Sequence, residues 1–424
     1  MNNIFKSLKK YKIYEYYYVI ILFIVLIQLF FIPAIRLGVV TAVIILMVIY
    51  KSINKHDLLR NTSINKLVLA YLFYNTISIV WFVFSGIPVS VFFAEWANSI
   101  LPVFFFYLAS KEKIANFRFY NITLLVLVIS FIVGFYLWVN ESEIYKVFME
   151  TTEGPGTGID FFQSLYGLTA TGAFGVVGFL ISSSLVLNSN GRQGKIAMII
   201  CLIATILTFR RGAMVSLFIV IIVFHYIGFL RFRFFKKRYF IIETLFIYGV
   251  YKFFLSDFND LFENIVERSS MISEAFDKRS FAWAYAFQDL TFIFGKGVGS
   301  IGHKAIGFSK ILIADGNYFK MIAEIGILGT LIFSAIIISS LVNGYKDLKN
   351  KYIDLGIVLS MCLIGVGSNI FTFQSIAPIF WYSIGRLANK NIVKRSFDNR
   401  IYVPAEISKS SVSQFKNINS KVSE

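Results

Sequence analysis

The sequence predicts an all-α, polytopic membrane bundle of about 12 transmembrane helices. Three observations predict it. Apolar residues make up 57% of the 424-residue chain and charged residues only 15%, against about 25% charged in ordinary soluble domains. The mean hydropathy is +0.70, and with 18% aromatics that much apolar side chain would leave large exposed patches in water. The apolar residues also fall in long runs, and a crossing consumes about 20 of them. A soluble enzyme, a disordered chain and a disulfide scaffold are thereby excluded. Cys201 and Cys362 both lie inside apolar runs and read as small buried hydrophobes, with no metal framework.

In chain order the apolar segments fall near 15–33, 35–50, 67–86, 89–109, 119–139, 165–187, 195–209, 212–230, 239–255, 318–343, 353–371 and 374–388. Those at 195–209 and 374–388 are short for a crossing. No segment alternates as a membrane strand does. With the N-terminus inside and the spans alternating, well over half of the 41 Lys and Arg fall in inner segments, as the positive-inside trend requires. The net charge of +17 is therefore a cytoplasmic-loop excess and not a nucleic-acid footprint. The first apolar run is too long for a cleavable signal, and no small-residue cleavage site follows it. Residues 1–390 read as one transmembrane domain with both termini cytoplasmic and outer segments at 140–164 and 256–317. Residues 391–424 read as a disordered polar cytoplasmic tail. No repeat of fixed period is present.

The outer segments carry the candidate chemistry. Segment 140–164 holds Glu141, Glu143, Glu150, Glu153 and Asp160. Segment 256–317 has short amphipathic stretches, one over Phe258, Leu261, Phe262, Ile265 and Val266, a second over Phe281, Ala284, Tyr285 and Gln288. A long outer loop with helices of its own is more often functional than a spacer. Arg210 and Arg211 stand between two apolar runs with almost no loop. They form either a snorkelling pair at a tight turn or a guanidinium pair that grips phosphate. Arg279 and Trp283, four apart, share a helix face. They read as an interfacial anchor or as an anion contact beside a sugar-stacking ring. Phe294-Gly295-Lys296-Gly297-Val298-Gly299-Ser300 lacks the βαβ context of a nucleotide loop and reads as a tight turn at the membrane surface. Asp315 and Asn317 precede a span as ordinary N-caps would, with Tyr318 beside them. Glu324, about two turns into that span, should be paired or face a cavity. His303 is either a solvated loop residue or a base.

In this order and spacing the motifs R-G-A, R-x3-W, F-G-x-G-x-G-S, D-x-N-Y and A-E-x-G-I-L-G resemble the O-antigen ligase and Wzy-type polysaccharide polymerase superfamily. The detailed likeness covers residues 210–330, and A-E-x-G-I-L-G after a long outer loop is its most specific part. The resemblance implies a GT-C-like bundle and a membrane-embedded glycosyltransferase. Such an enzyme takes oligosaccharide repeat units from undecaprenyl diphosphate at the outer face of the bacterial cytoplasmic membrane. It joins them to another lipid-linked chain, building O-antigen or capsule. The resemblance implies no cofactor, nucleotide sugar or metal; the partners it implies are the lipid-linked oligosaccharides, the bilayer and a chain-length regulator.

By the same likeness Arg211 matches the arginine before the family's intramembrane glycine, and Arg279 matches the loop arginine before tryptophan. Asp315 falls where many members have histidine, a departure that favours polymerase over ligase. The catalytic set so implied is Arg211, Arg279, Asp315 and Glu324; the substrate-binding set is Arg210, Trp283, His303, Asn317 and Tyr318. The arginines would stabilise charge on the departing diphosphate. A carboxylate would take the acceptor hydroxyl's proton, Asp315 first, with Glu324 and His303 as alternatives. Glu153 and Asp160 would hold sugar hydroxyls. The competing expectations are a ligase that moves finished glycan to a lipid or protein acceptor, and a lipid-linked oligosaccharide flippase, which should carry ionisable residues near the bilayer midplane on broken, repeated helices.

Overall fold

The computed structural model describes residues 12–30, 37–52, 62–112, 117–140, 142, 146, 162–189, 192–208, 210–232, 280–287, 291–313 and 315–389. The expected span 239–255, the acidic residues Glu141, Glu143, Glu150, Glu153 and Asp160, the stretch 258–266, Arg279 and the tail 391–424 lie outside the described residues. Among the described residues all regular structure is helical and no strand occurs. In chain order the α-helices of seven residues or more are α1 (Tyr17–Phe30), α2 (Leu37–Ser52), α3 (Ser63–Ile77), α4 (Val89–Ile100), α5 (Phe104–Ser110), α6 (Arg118–Val139), α7 (Leu168–Ser189), α8 (Arg192–Leu207), α9 (Arg211–Phe232), α10 (Asn317–Lys346), α11 (Leu348–Gly367) and α12 (Ala377–Ala388).

Six helical stretches among the described residues are long and apolar enough to cross a bilayer: Ser63–Ser85, Val89–Ser110, Arg118–Val139, Thr169–Val186, Asn317–Lys346 and Asn350–Gly367. Shorter apolar helices run over Ile13–Leu29, Thr41–Tyr50 and Arg211–Val223. The long helices turn large apolar side chains outward, among them Phe73, Leu125, Ile132, Leu331 and Ile338. Water would penalise such a surface and lipid does not. The chain is a multi-pass α-helical membrane protein.

Small residues set how closely the helices approach, as in membrane bundles generally. Gly172, Gly175 and Gly178 form one stripe on α7. A Cβ at Gly175 would lie 2.1 Å from Thr205 Oγ1 and one at Gly178 2.5 Å from Cys201 Sγ, so α7 and α8 pack as a close antiparallel hairpin. Gly385 brings α12 against α5, where a Cβ would meet Phe106 O at 2.3 Å. Helix α12 has 12 residues, about 18 Å of rise. Every residue from Ala377 to Leu387 is buried. It is a helix enclosed by the bundle and not a lipid-facing crossing. Apolar content alone does not separate these two cases.

The described loops gather at two ends. At one, α3 and α4 meet residues 295–302, Asn317 accepts from Phe371 N–H (3.2 Å), and Phe162 N–H donates to Leu207 O (3.3 Å). At the other, Tyr14 and Tyr382 donate to Glu112, Tyr382 at 3.1 Å. Arg386 reaches Asp354 Oδ1 (2.9 Å) and Glu112 Oε2 (3.4 Å). Tyr120 donates to Asp354, and Lys351 donates to Leu387 O (3.0 Å) and Asn389 O (2.6 Å) at the end of α12. Burial pushes the Glu112 carboxyl above its ordinary range, against the pull of the Tyr14 hydrogen bond and of Arg386. The positive-inside count includes Lys351 and Arg386 among the charges of the inner segments. Both are buried instead, Arg386 completely, because carboxylates and carbonyls from several helices converge on them.

Candidate functional site

Helix α10 builds the site. Its first turns read Asn317-Tyr318-Phe319-Lys320-Met321-Ile322-Ala323-Glu324-Ile325-Gly326, which places Asn317, Lys320 and Glu324 on one face. The helix breaks at Gly326, whose φ of 67° and ψ of 179° are non-helical. A break frees backbone carbonyls that lipid cannot satisfy. The glycine turn satisfies them: Lys296 N–H donates to Ala323 O (2.9 Å) and Gly297 N–H to Glu324 O (2.8 Å).

The fit leaves no room for side chains. A Cβ at Gly326 would lie 2.1 Å from Ile293 O, at Gly295 2.2 Å from Glu324 O, and at Gly297 2.4 Å from Phe82 Cβ. All three glycines also hold positive φ. The sequence reading puts this turn at the membrane surface. It is instead inserted between α3, α4 and the break in α10, and residues 297–302 are buried. Lys296 lies at its edge over the Tyr285 ring, 4.3 Å from the centroid, with its ammonium pKa pushed down by burial.

The turn continues to Gly302, whose N–H donates to Glu324 Oε1 (3.1 Å). From α4 comes Glu95, which accepts from the Lys320 ammonium and from Asn98 Nδ2 (3.4 Å). Lys320 Nζ and Glu324 Oε1 flank the same point, 2.9 and 3.1 Å from where a Gly302 Cβ would stand. Glu95, Lys320 and Glu324 are 3%, 2% and 4% exposed, so two carboxylates and one ammonium share an interior site. Glu324 lies about 10 Å along the helix from Asn317. Beside this triad is a narrow cavity lined by Tyr71, Ser99, Asn317, Lys320, Glu324 and Phe371, among others. Asn317 Nδ2 and Ser300 Oγ are buried with no hydrogen-bond partner.

The structure brings together Glu324 and Asn317 of the residues singled out by the sequence. Tyr318 is half-buried, and its hydroxyl donates to Cys362 O (2.9 Å) on α11. Asp315 precedes the helix, and its carbonyl accepts from Trp283 Nε1 (2.9 Å). Neither Asp315 nor Asn317 caps α10: the cap position is Gly316, with no side-chain hydrogen bond, because Asn317 has turned inward to Phe371. Residues 280–284 are helical, as expected. One face of Trp283 is stacked on Phe319 at 4.4 Å and 8°. His303 is exposed in a 3-10 turn.

Arg210 lies just before α9 and Arg211 is its first residue; Arg210 stands beside Gly172 of α7, and the following Gly212 faces Ile364 of α11. Arg211 is exposed, and Arg210 Nε is buried with no partner. Neither arginine lines the cavity. Among the described residues no cluster of three His, Cys, Asp or Glu stands together. Glu95 and Lys320 were missed in the sequence, although an ionisable residue inside an apolar run is itself a signal. The chain matches no family model and no curated protein.

Proposed function

We propose that this chain is a membrane-embedded glycosyltransferase that joins polyprenyl-diphosphate-linked oligosaccharide repeat units into a surface polysaccharide. The observation that carries this reading is the union of F-G-x-G-x-G-S with A-E-x-G-I-L-G. The two motifs fold as one unit that holds the Glu324 carboxylate beside a polar cavity. The Nε of Arg210 is buried with no partner, which leaves a donor open to water or to an anion at the arginine junction. In this reading the end that holds the site faces outward and both chain termini face the cytoplasm. Arg210, Arg211 and Arg279 stabilise the departing diphosphate, and a carboxylate accepts the proton of the attacking hydroxyl. Glu324 is the carboxylate that lines the cavity, which moves it ahead of Asp315 as the base.

The test is elongation by purified protein in detergent, supplied only with lipid-linked repeat units. Longer chains still on the carrier support a polymerase; glycan moved to a separate acceptor marks a ligase. A flippase is the second reading, favoured by one observation: ionisable residues beside a helix broken at Gly326. A flippase lengthens no chain in detergent.

A further inference from the structure

Residues 303–310 leave the bundle directly after Gly302, whose N–H bonds Glu324. They do so alongside α4 and not beyond its end. The 3-10 turn His303–Ala305 packs on α4. Gly302 sits by Lys320 Nζ, which bonds Glu95 about 9 Å along α4 from Val89. We propose that this loop is a lipid-binding element: residues 306–308 enter the boundary between acyl chains and headgroups, and Lys304 and Lys310 hold the phosphates of anionic phospholipids. The proposal is independent of the glycosyltransferase reading.

Three observations converge on it. The tip is apolar and turned outward, with Ile306 60% and Phe308 56% exposed. Between them Gly307 has a φ of 85° and open space around it. One such side chain is ordinary on a water-exposed surface. Two at one apex, on a loop that rides a helix whose Phe93 is also exposed, make an apolar wedge. Second, the loop satisfies much of its own backbone, as a segment entering lipid must. Ala305 N–H donates to Gly302 O (2.9 Å), Phe308 N–H and Ser309 N–H both donate to Ala305 O (2.9 Å), and Ile313 N–H donates to Ile301 O (3.0 Å). Ser309 Oγ closes the exit by donating to Ile311 O (2.8 Å). Third, the charge is of one sign. Lys304 and Lys310 are exposed on either side of the tip, and residues 301–313 contain no Asp or Glu. Lysines that flank an apolar wedge reach back to headgroup phosphates while their stems lie along the acyl boundary. A second copy of this chain seated tip to tip would oppose like charges.

The test uses the full chain in nanodiscs that hold one copy each. Phe308→Trp places a reporter on the exposed tip, and subtracting the wild-type emission removes the five native tryptophans. The discs contain phosphatidylcholine and phosphatidylglycerol in equal parts, with bromine on the upper acyl chain of one or the other. The added emission should be blue-shifted and quenched by both lipids, more strongly by brominated phosphatidylglycerol. Lys304→Gln together with Lys310→Gln should remove that excess, lowering the preference for the anionic lipid by about fivefold per lysine. Should Phe308→Trp fail to fold, Ile306→Trp reports from the same tip. Added emission at the wavelength of tryptophan in water, quenched by neither lipid, overturns the proposal and leaves the tip for a protein partner. Equal quenching by the two lipids, or an excess that survives the double substitution, overturns the role of the lysines.

Discussion

At the scale of residues, the molecule rests on a few buried charges whose pairing can be broken singly. Lys320 is the only cation described in its triad, and its ammonium bonds Glu95. Lys320→Met should therefore cost about 3–5 kcal/mol in unfolding, because it strands a buried carboxylate. The double variant Lys320→Met with Glu95→Gln should recover most of that loss. Denaturation in detergent measures both, and losses that simply add would contradict the pairing. The arginines make a different prediction. Arg211→Ala and Arg279→Ala should each abolish polymer in cells, and Arg211→Lys should also damage it, since a lysine lacks the planar fork that grips a diphosphate. Unchanged polymer length in both alanine variants would remove the diphosphate role. Glu324 was legible in the sequence because one carboxylate two turns into an apolar run must face a partner or a cavity. Its neighbours were not, since Glu95 and Lys320 meet across 225 residues of chain, a pairing that no local pattern encodes.

Elements show why the glycines are where they are. Positive φ alone is a modest constraint, about 1–2 kcal/mol for a side chain. Gly86 has a φ of 73° and open space around it, whereas Gly326 has a φ of 67° and Ile293 O at 2.1 Å from any Cβ. Gly86→Ala should then cost about 1 kcal/mol. Gly326→Ala should cost several times more, because the glycine turn must leave the break in α10 and its carbonyls lose their donors. Comparable unfolding midpoints for the two variants would contradict this account. The helices themselves were legible as apolar runs, with the α8–α9 junction at Arg210 found to within a residue or two. The setting of the turn was not. A G-x-G-x-G stretch encodes conformational freedom, and whether that freedom serves a surface bend or an inserted plug depends on which helices surround it.

The whole molecule places its two polar clusters at opposite ends of an apolar bundle. The Glu112–Asp354–Arg386 cluster ties α5, α6, α11 and α12 together. Arg386→Leu should lower the unfolding midpoint, at a cost of about 3–5 kcal/mol for the carboxylates it strands, and leave elongation per folded protein unchanged. Altered elongation by the folded variant would mean that the two ends are coupled. The fold class was legible because a composition of 57% apolar residues admits few solutions in water or lipid. The positive-inside count was a coarser guide, since Lys351 is buried against backbone carbonyls and Arg386 against carboxylates. The central claim is that the bundle joins sugars and does not merely carry them. Each new linkage between lipid-linked units must free one undecaprenyl diphosphate. Purified protein in detergent, given those units alone, should release the carrier one-for-one with linkages formed, and Arg211→Ala should release none. Folded wild-type protein that binds the units yet frees no carrier would contradict the account.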